Sequence, residues 1–149
     1  FIARRLIISA AEDIGLANPT ALVMANNCFD ALQKIGWPEG RIILSQCTIY
    51  LALSAKSNSA YLAINKAQSI VREKGDSSIP LSLRNAPTKL MEELDYGKDY
   101  LYSHDNLDKL HLQEFLPDEI KGTSIYKPKK NKKESEYGKL IEKIWKGKY

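Results

Sequence analysis

Five lysines within seven residues, Lys127, Lys129, Lys130, Lys132 and Lys133, are the densest charge in this sequence. Ammonium groups so placed could hold the phosphates of a nucleic acid. If all five met duplex DNA, log affinity would fall with log salt at a slope of about −4.5. The favoured, plainer reading is a solvated, flexible linker between a folded body and a last helix. Tyr96, Tyr100 and Tyr102 with Lys98 mix aromatic and basic groups, which suits base stacking. Asp95, Asp99 and Asp105 beside them repel phosphate, and tyrosines are common in cores and interfaces. Lys56-Ser57-Asn58 could cradle an anion at a helix start, where free N–H groups and the helix dipole favour negative charge. An ordinary N-cap explains the same three residues. Arg84 and Asn85, just before Pro87, read as a loop anchor through backbone carbonyls or as a contact to a neighbouring subunit. Tyr96, Tyr100, Tyr102 and His104 join them in that candidate role.

Other pairs carry less. Glu12 and Asp13 are adjacent, so on a helix their carboxylates point about 100° apart and do not converge on one substrate. His104 beside Asp105 suggests an acid–base couple, but no nucleophile is near, and a structural hydrogen bond is preferred. Cys28 and Cys47 sit among apolar helical neighbours and read as buried thiols. Two cysteines and two histidines without metal-ligand spacing give no zinc site. There is no phosphate loop, no dinucleotide fingerprint and no nucleophile elbow in these residues. No catalytic residue is assigned, and the fragment is expected to be inactive alone.

The elements that position these residues are helical. Ile2, Ala3, Leu6, Ile7, Ala10, Ala11 and Ile14 recur at spacings of one, three and four, predicting a helix over 2–13 that ends near Gly15. Asn18-Pro19 starts a second, with Asn18 as cap and Pro19 at the first position, and it runs to Gly36. Trp37-Pro38 opens a third, through Leu51. Ser57 or Asn58 caps a fourth that stops at Gly75. Short connections favour antiparallel neighbours, so the three long helices are expected to form the centre of a bundle. Past Gly75 prolines punctuate short pieces. Thr88 opens a brief helix over 89–94 that ends at Tyr96-Gly97. Tyr100-Leu101-Tyr102 alternates like a strand and either pairs briefly or is simply extended, 105–112 reads as a short helix, and 116–120 as one turn. Glu134 to Lys146 recovers helical spacing, with an apolar stripe of Tyr137, Leu140, Ile141, Ile144 and Trp145 that needs burial by its own domain or by another chain.

With 149 residues, 44% of them hydrophobic, the chain can bury about 70% of its unfolded surface in one domain. No apolar run approaches the ~20 residues of a membrane span, and no signal peptide is visible. The abrupt start at Phe1-Ile2-Ala3 inside a helical pattern reads as a fragment. The net charge of +4 is uneven: residues 121–149 hold ten lysines and three glutamates, while the rest is mildly acidic. That is the pattern of a folded body with an interaction tail.

Four segments carry a family resemblance: Leu83 to Asp105 (LRNAPTKLMEELDYGKDYLYSHD), Glu12 to Pro19 (EDIGLANP), Pro38-Glu39-Gly40, and Leu51 to Tyr61 (LALSAKSNSAY). In this order they resemble the C-terminal region of the replication-associated recombination ATPases, the clamp-loader-like AAA+ proteins also called MgsA, related to the Werner-helicase-interacting proteins. Asp95 stands where that family often has Gly, and Ser54 or Ala55 where it has Pro. The resemblance covers roughly residues 1–128. It implies an all-α fold, a helical bundle like the clamp-loader collar with an irregular tyrosine-rich second half, over 1–128; the basic tail with a short terminal helix over 129–149 lies outside the resemblance and is read from charge and spacing alone. The resemblance implies a homotetramerising domain of a DNA-dependent ATPase that maintains replication forks. The ATPase module would lie upstream, with ATP and Mg as cofactors of the parent protein and none in this fragment. Partners would be further copies of the chain, DNA through the parent protein, and the single-stranded-DNA-binding protein, with no membrane. The place would be the cytoplasm, at the nucleoid when forks are engaged. A DNA-binding module and a partner-docking module stay open as alternatives.

Overall fold

The structure is a computed structural model that describes residues 1–105 and 108–149. It is all-helical, with no strand among the described residues. Among the described residues six α-helices follow in order: α1 (Ile2–Ser9), α2 (Thr20–Ile35), α3 (Gly40–Leu53), α4 (Ser59–Lys74), α5 (Lys89–Glu93) and α6 (Lys132–Trp145). The residues fall into two compact units, one of Phe1–Ile64 with Tyr126–Gly138, the other of Asn65–Ile125 with Lys139–Tyr149.

In the first unit α1 does not stop at Ser9 but widens into a π-helical turn, Ala10–Ile14, and then a 3₁₀ turn, Gly15–Ala17. Ala10, Ile14, Ala21, Ala25, Cys28, Cys47 and Leu51 form the core, flanked by Leu6, Ile7, Leu32, Ile43, Leu44 and Tyr50. Helices α2 and α3 run antiparallel. Rising along α3 from Gly40 to Ile43, the neighbours on α2 fall from Leu32 to Cys28: a Cβ on Gly40 would meet Leu32 Cδ2 at 2.7 Å, and Cys28 Sγ lies 3.8 Å from the Ile43 carbonyl. Mostly small side chains at this seam let the helices close up.

The expected centre of α2, α3 and α4 is therefore corrected. The core belongs to α1, α2 and α3, and α4 contributes only Ser59 to the buried set. Spacing predicted each helix but not its neighbour. Asn18 is a second correction. Its side chain does not cap α2; its Nδ2 donates to Tyr50 Oη and to Ser54 Oγ, both at 3.0 Å, tying the start of α2 to the end of α3.

Gly15 and Ser57 fix the entry to α4. Gly15 has φ +47°, and a Cβ there would stand 2.6 Å from the Ser57 carbonyl oxygen. Only glycine fits. The Ser57 N–H donates to the Asp13 carbonyl at 2.8 Å, so the π-turn and the α4 entry share a backbone hydrogen bond.

In the second unit α5 is capped as its sequence requires: Thr88 Oγ1 accepts from the Met91 N–H at 3.3 Å. Tyr100-Leu101-Tyr102 forms no strand, and the Leu101 N–H donates to Gln113 Oε1 at 2.8 Å. The helix expected over 105–112 lies partly outside the described residues; the described part holds a 3₁₀ turn, Leu110–Leu112. The turn expected at 116–120 is a 3₁₀ turn, Asp118–Ile120. The end of α6 is covered within this unit. Trp145 meets Phe115 and Tyr149 edge-on, at 5.6 and 5.0 Å between ring centroids. Leu140 stays exposed.

Candidate functional site

One carboxylate organises the first unit. Glu134, on the first turn of α6, is wholly buried. Tyr126 Oη donates to its Oε1 at 2.9 Å, and Asn131 Nδ2 donates to its Oε2. The Glu134 N–H in turn donates to Asn131 Oδ1 at 2.9 Å, making Asn131 the N-cap of α6. Burial alone would push this carboxyl up. Hydrogen bonding involving Ser57, Ser59, Asn131 and Tyr126 outweighs it and holds the carboxyl at about 2. The same contact works the other way on the phenol: burial, then Glu134, pushes Tyr126 up to about 12.

The α4 entry, which the sequence leaves open to an anion or to an ordinary N-cap, has this carboxylate beside it. Ser57 and Ser59 are buried, Ser57 Oγ accepts from the Ser59 N–H at 3.3 Å, and the negative charge beside them is the chain's own Glu134. Lys56 Nζ reaches the Leu51 carbonyl at 3.5 Å. Asn58 Oδ1 accepts a hydrogen bond from Lys129 Nζ.

Tyr126, just before the lysine stretch, and Asn131, within it, both bond to Glu134, and Lys129 bonds to Asn58. Lys127, Lys129, Lys130, Lys132 and Lys133 are all exposed. Lys133 pairs with Glu136 at 3.3 Å and lies over the Tyr137 ring at 5.4 Å. Lys132 and Lys133 open α6, where the helix dipole is positive, which costs roughly 0.3–1 kcal/mol each.

In the second unit Arg84 gathers its loop. Its Nε donates to the Ile79 carbonyl at 2.8 Å, its Nη1 donates to Tyr96 Oη at 3.2 Å, and its guanidinium sits 5.1 Å from the Tyr96 ring centroid. The Gly97 N–H donates to the Leu81 carbonyl at 2.8 Å. Asn85, Tyr100 and His104 are exposed, and the Tyr102 ring lies 5.3 Å from that of His104. Asp95 has φ +61°, a backbone that favours glycine, and its carboxylate meets Lys98 Nζ at 3.0 Å. The Asp95 hydrogen bond and charge raise the Lys98 ammonium. Sequence spacing missed a further anchor here. Glu114 Oε1 accepts from the Phe115 and Leu116 N–H groups, both at 3.0 Å, and from Tyr149 Oη at 2.8 Å. Lys148 Nζ pairs with its Oε2 at 3.4 Å.

The remaining candidates are structural in their contacts. Asp13 accepts from Ser9 Oγ at 2.7 Å. Cys28 and Cys47 are free and buried; burial, then Cys28, pushes the Cys47 thiol up to about 11. Among the described residues no group of His, Cys, Asp or Glu could hold a metal ion, and no helix is long and apolar enough to cross a membrane.

Large apolar side chains are unusually exposed. Ile42, Ile49 and Leu53 form one stripe along α3, with Leu53 82% exposed. A groove beside it is lined by Ala17, Gln46, Tyr50 and Ser54. At the other end of the α2–α3 pair, Phe1, Ile2 and Trp37 line a second recess, and Trp37 is 71% exposed.

Comparison with known proteins places this geometry. The family described as MgsA AAA+ ATPase C terminal matches residues 1–145. Replication-associated recombination protein A of Coxiella burnetii is 43% identical over 129 residues, 86% of this chain and 29% of that protein. The Escherichia coli protein of the same name is 39% identical over 145 residues, 97% of this chain and 32% of that protein. The ATPase WRNIP1 of Dictyostelium discoideum is 38% identical over 130 residues, 87% of this chain and 15% of that protein. The chain thus spans a third or less of the length of these relatives, and what it matches is their C-terminal region: it belongs to the MgsA AAA+ ATPase C-terminal family.

Proposed function

We propose that this chain is the homo-oligomerisation domain, in tetrameric form, of a DNA-dependent AAA+ ATPase that acts in replication-fork maintenance and recombination. One observation carries the reading: the fully buried core of the first unit is made mostly of small residues, while several of its large apolar side chains face solvent. Its core is Ala10, Ala21, Ala25, Cys28 and Cys47 around Ile14 and Leu51, while Ile42, Ile49, Leu53 and Trp37 face solvent. An exposed apolar stripe on a rigid helix pair favours a second surface of like kind, and copies of the same chain supply it. The role is geometric. Domains held in a ring set the spacing between the nucleotide sites of neighbouring ATPase modules.

Light scattering across a concentration range tests this. A tetramer of the 16.8 kDa chain has a mass of about 67 kDa. Ile49→Lys with Leu53→Lys changes exposed positions only, so helicity stays and the assembly dissociates. A monomer at every concentration refutes the reading and transfers the surface to a different protein partner.

A further inference from the structure

We infer that the start of α6 is a binding surface for the phosphate backbone of duplex nucleic acid, contacted by Lys127, Lys129, Lys130 and Lys132 and held in shape by Glu134 as positioning residue. This goes beyond the assembly reading and does not depend on it.

The surface is cationic in what it presents, not only in composition. Of the five lysines, among the described residues only Lys133 is ion-paired, to Glu136. The other carboxylate of the stretch, Glu134, is turned inward and wholly buried. The carrier is also preorganised. Tyr126 and Asn131 bond to Glu134, Lys129 to Asn58, and Pro128 lies against α6 at Gly138, 3.8 Å from where a Cβ would stand. A solvated linker would lose freedom on meeting a ligand; a backbone already held loses little.

Two lysines occupy the first turn of α6, against the helix dipole. The one acid of that turn, Glu134, is turned inward and wholly buried. Such a local conflict marks a functional position, and a phosphate over that turn resolves it, since it meets the lysines and the dipole together.

Backbone contact fits better than base stacking. The only aromatic residues over 126–137 are Tyr126 and Tyr137. Tyr126 is part-buried with its hydroxyl on Glu134, and Lys133 covers the Tyr137 ring. No ring is left as an open platform for unpaired bases. Lysine point charges read phosphate position and not sequence.

The test is fluorescence anisotropy of this chain with a labelled 20-base-pair duplex, from 50 to 200 mM NaCl. The four lysines outside the Glu136 pair give a slope of about −3.6 in log affinity against log salt, or a loss of about 150-fold over that range. Replacing Lys127, Lys130 and Lys132 by Gln, all at exposed positions, makes the slope shallower by about 2.7. Glu134→Gln discriminates the positioning role by sign. Removing a negative charge strengthens phosphate binding if only charge matters, and weakens it if the network shapes the surface. Tyr126→Phe, which leaves every charge in place, weakens binding in the same sense. The inference is overturned if no duplex binding occurs at 50 mM salt, if the triple variant leaves affinity and slope unchanged, or if poly-glutamate competes as well as unlabelled duplex at equal charge. The positioning role is overturned if Glu134→Gln binds more tightly. Light scattering of the same samples separates the two proposals: a monomer with the expected slope fails the assembly reading and keeps this one.

Discussion

Glu134→Gln is the most direct probe of how the first unit holds its C-terminal segment. The native carboxyl sits at about 2, against an ordinary 4.5. That difference corresponds to about 3 kcal/mol of preference for the charged form in the folded chain. Gln keeps the size and one acceptor, but its amide N–H groups face Asn131 Nδ2, which only donates, so part of the network opposes it. The folded pKa is depressed, so this stability is fully present above the unfolded value near 4.5 and is lost as pH falls toward 2. Urea unfolding followed by circular dichroism at pH 7, 4.5, 3 and 2 separates the effect from simple packing. The natural chain is expected to exceed the variant by about 3 kcal/mol at pH 7, with the gap closing through the acid range. A gap that stays constant from pH 7 to 2 refutes the reasoning, because the variant would then be reporting shape and not charge.

Other perturbations follow from the backbone. Gly15→Ala places a Cβ 2.6 Å from the Ser57 carbonyl at positive φ. It is expected to cost roughly 2–3 kcal/mol in the same urea assay, and to weaken the Ser57–Asp13 hydrogen bond beside the Glu134 site. A cost under half a kcal/mol would show that the Gly15–Ser57 approach is not required. Asp95→Gly removes a strained φ of +61° and an exposed ion pair to Lys98. Such a pair is worth little, so stability is expected to stay level or rise by up to about 1 kcal/mol; a clear loss would make the Lys98 contact the reason for the acid.

The helices were legible because their punctuation is local. Gly36 and Gly75 end α2 and α4 at positive φ, each N–H reaching back four residues, and Thr88 caps α5 through its own side chain. Which helices share a core was not legible, since alanine and cysteine give weak periodicity while the strong apolar stripe of α3 faces outward. Asn18 looked like a cap because the type and place are right, yet its amide bridges to Tyr50 and Ser54, over thirty positions away in sequence. Glu134 was read as the first residue of a helix, although Asn131-Lys132-Lys133-Glu134 carries the spacing of a capping box. That signal could have found the helix start at Asn131. It could not have found Ser57 and Ser59, because nothing local ties residue 57 to residue 134. Asp95 stands where the resemblance puts Gly, and its positive φ gives the physical reason glycine suits that position.

The arrangement of large and small residues explains why assembly is the natural reading of the first unit and not an accessory to it. Alanine and cysteine at the α2–α3 seam bring the helices close and rigidify the pair, but each buries little apolar area. At about 25 cal/mol per Å², five such residues around Ile14 and Leu51, with Leu6, Ile7, Leu32, Ile43, Leu44 and Tyr50 only part-buried against them, leave hydrophobic stabilisation unused. The unused part lies on Ile42, Ile49, Leu53 and Trp37. Covering those residues with a second copy would stabilise fold and assembly together, so dissociation and unfolding should be coupled. Replacing Ile49 and Leu53 by lysine would then lower the unfolding midpoint and abolish its dependence on protein concentration, while an assembly held only by polar contacts would keep the midpoint and lose its mass alone.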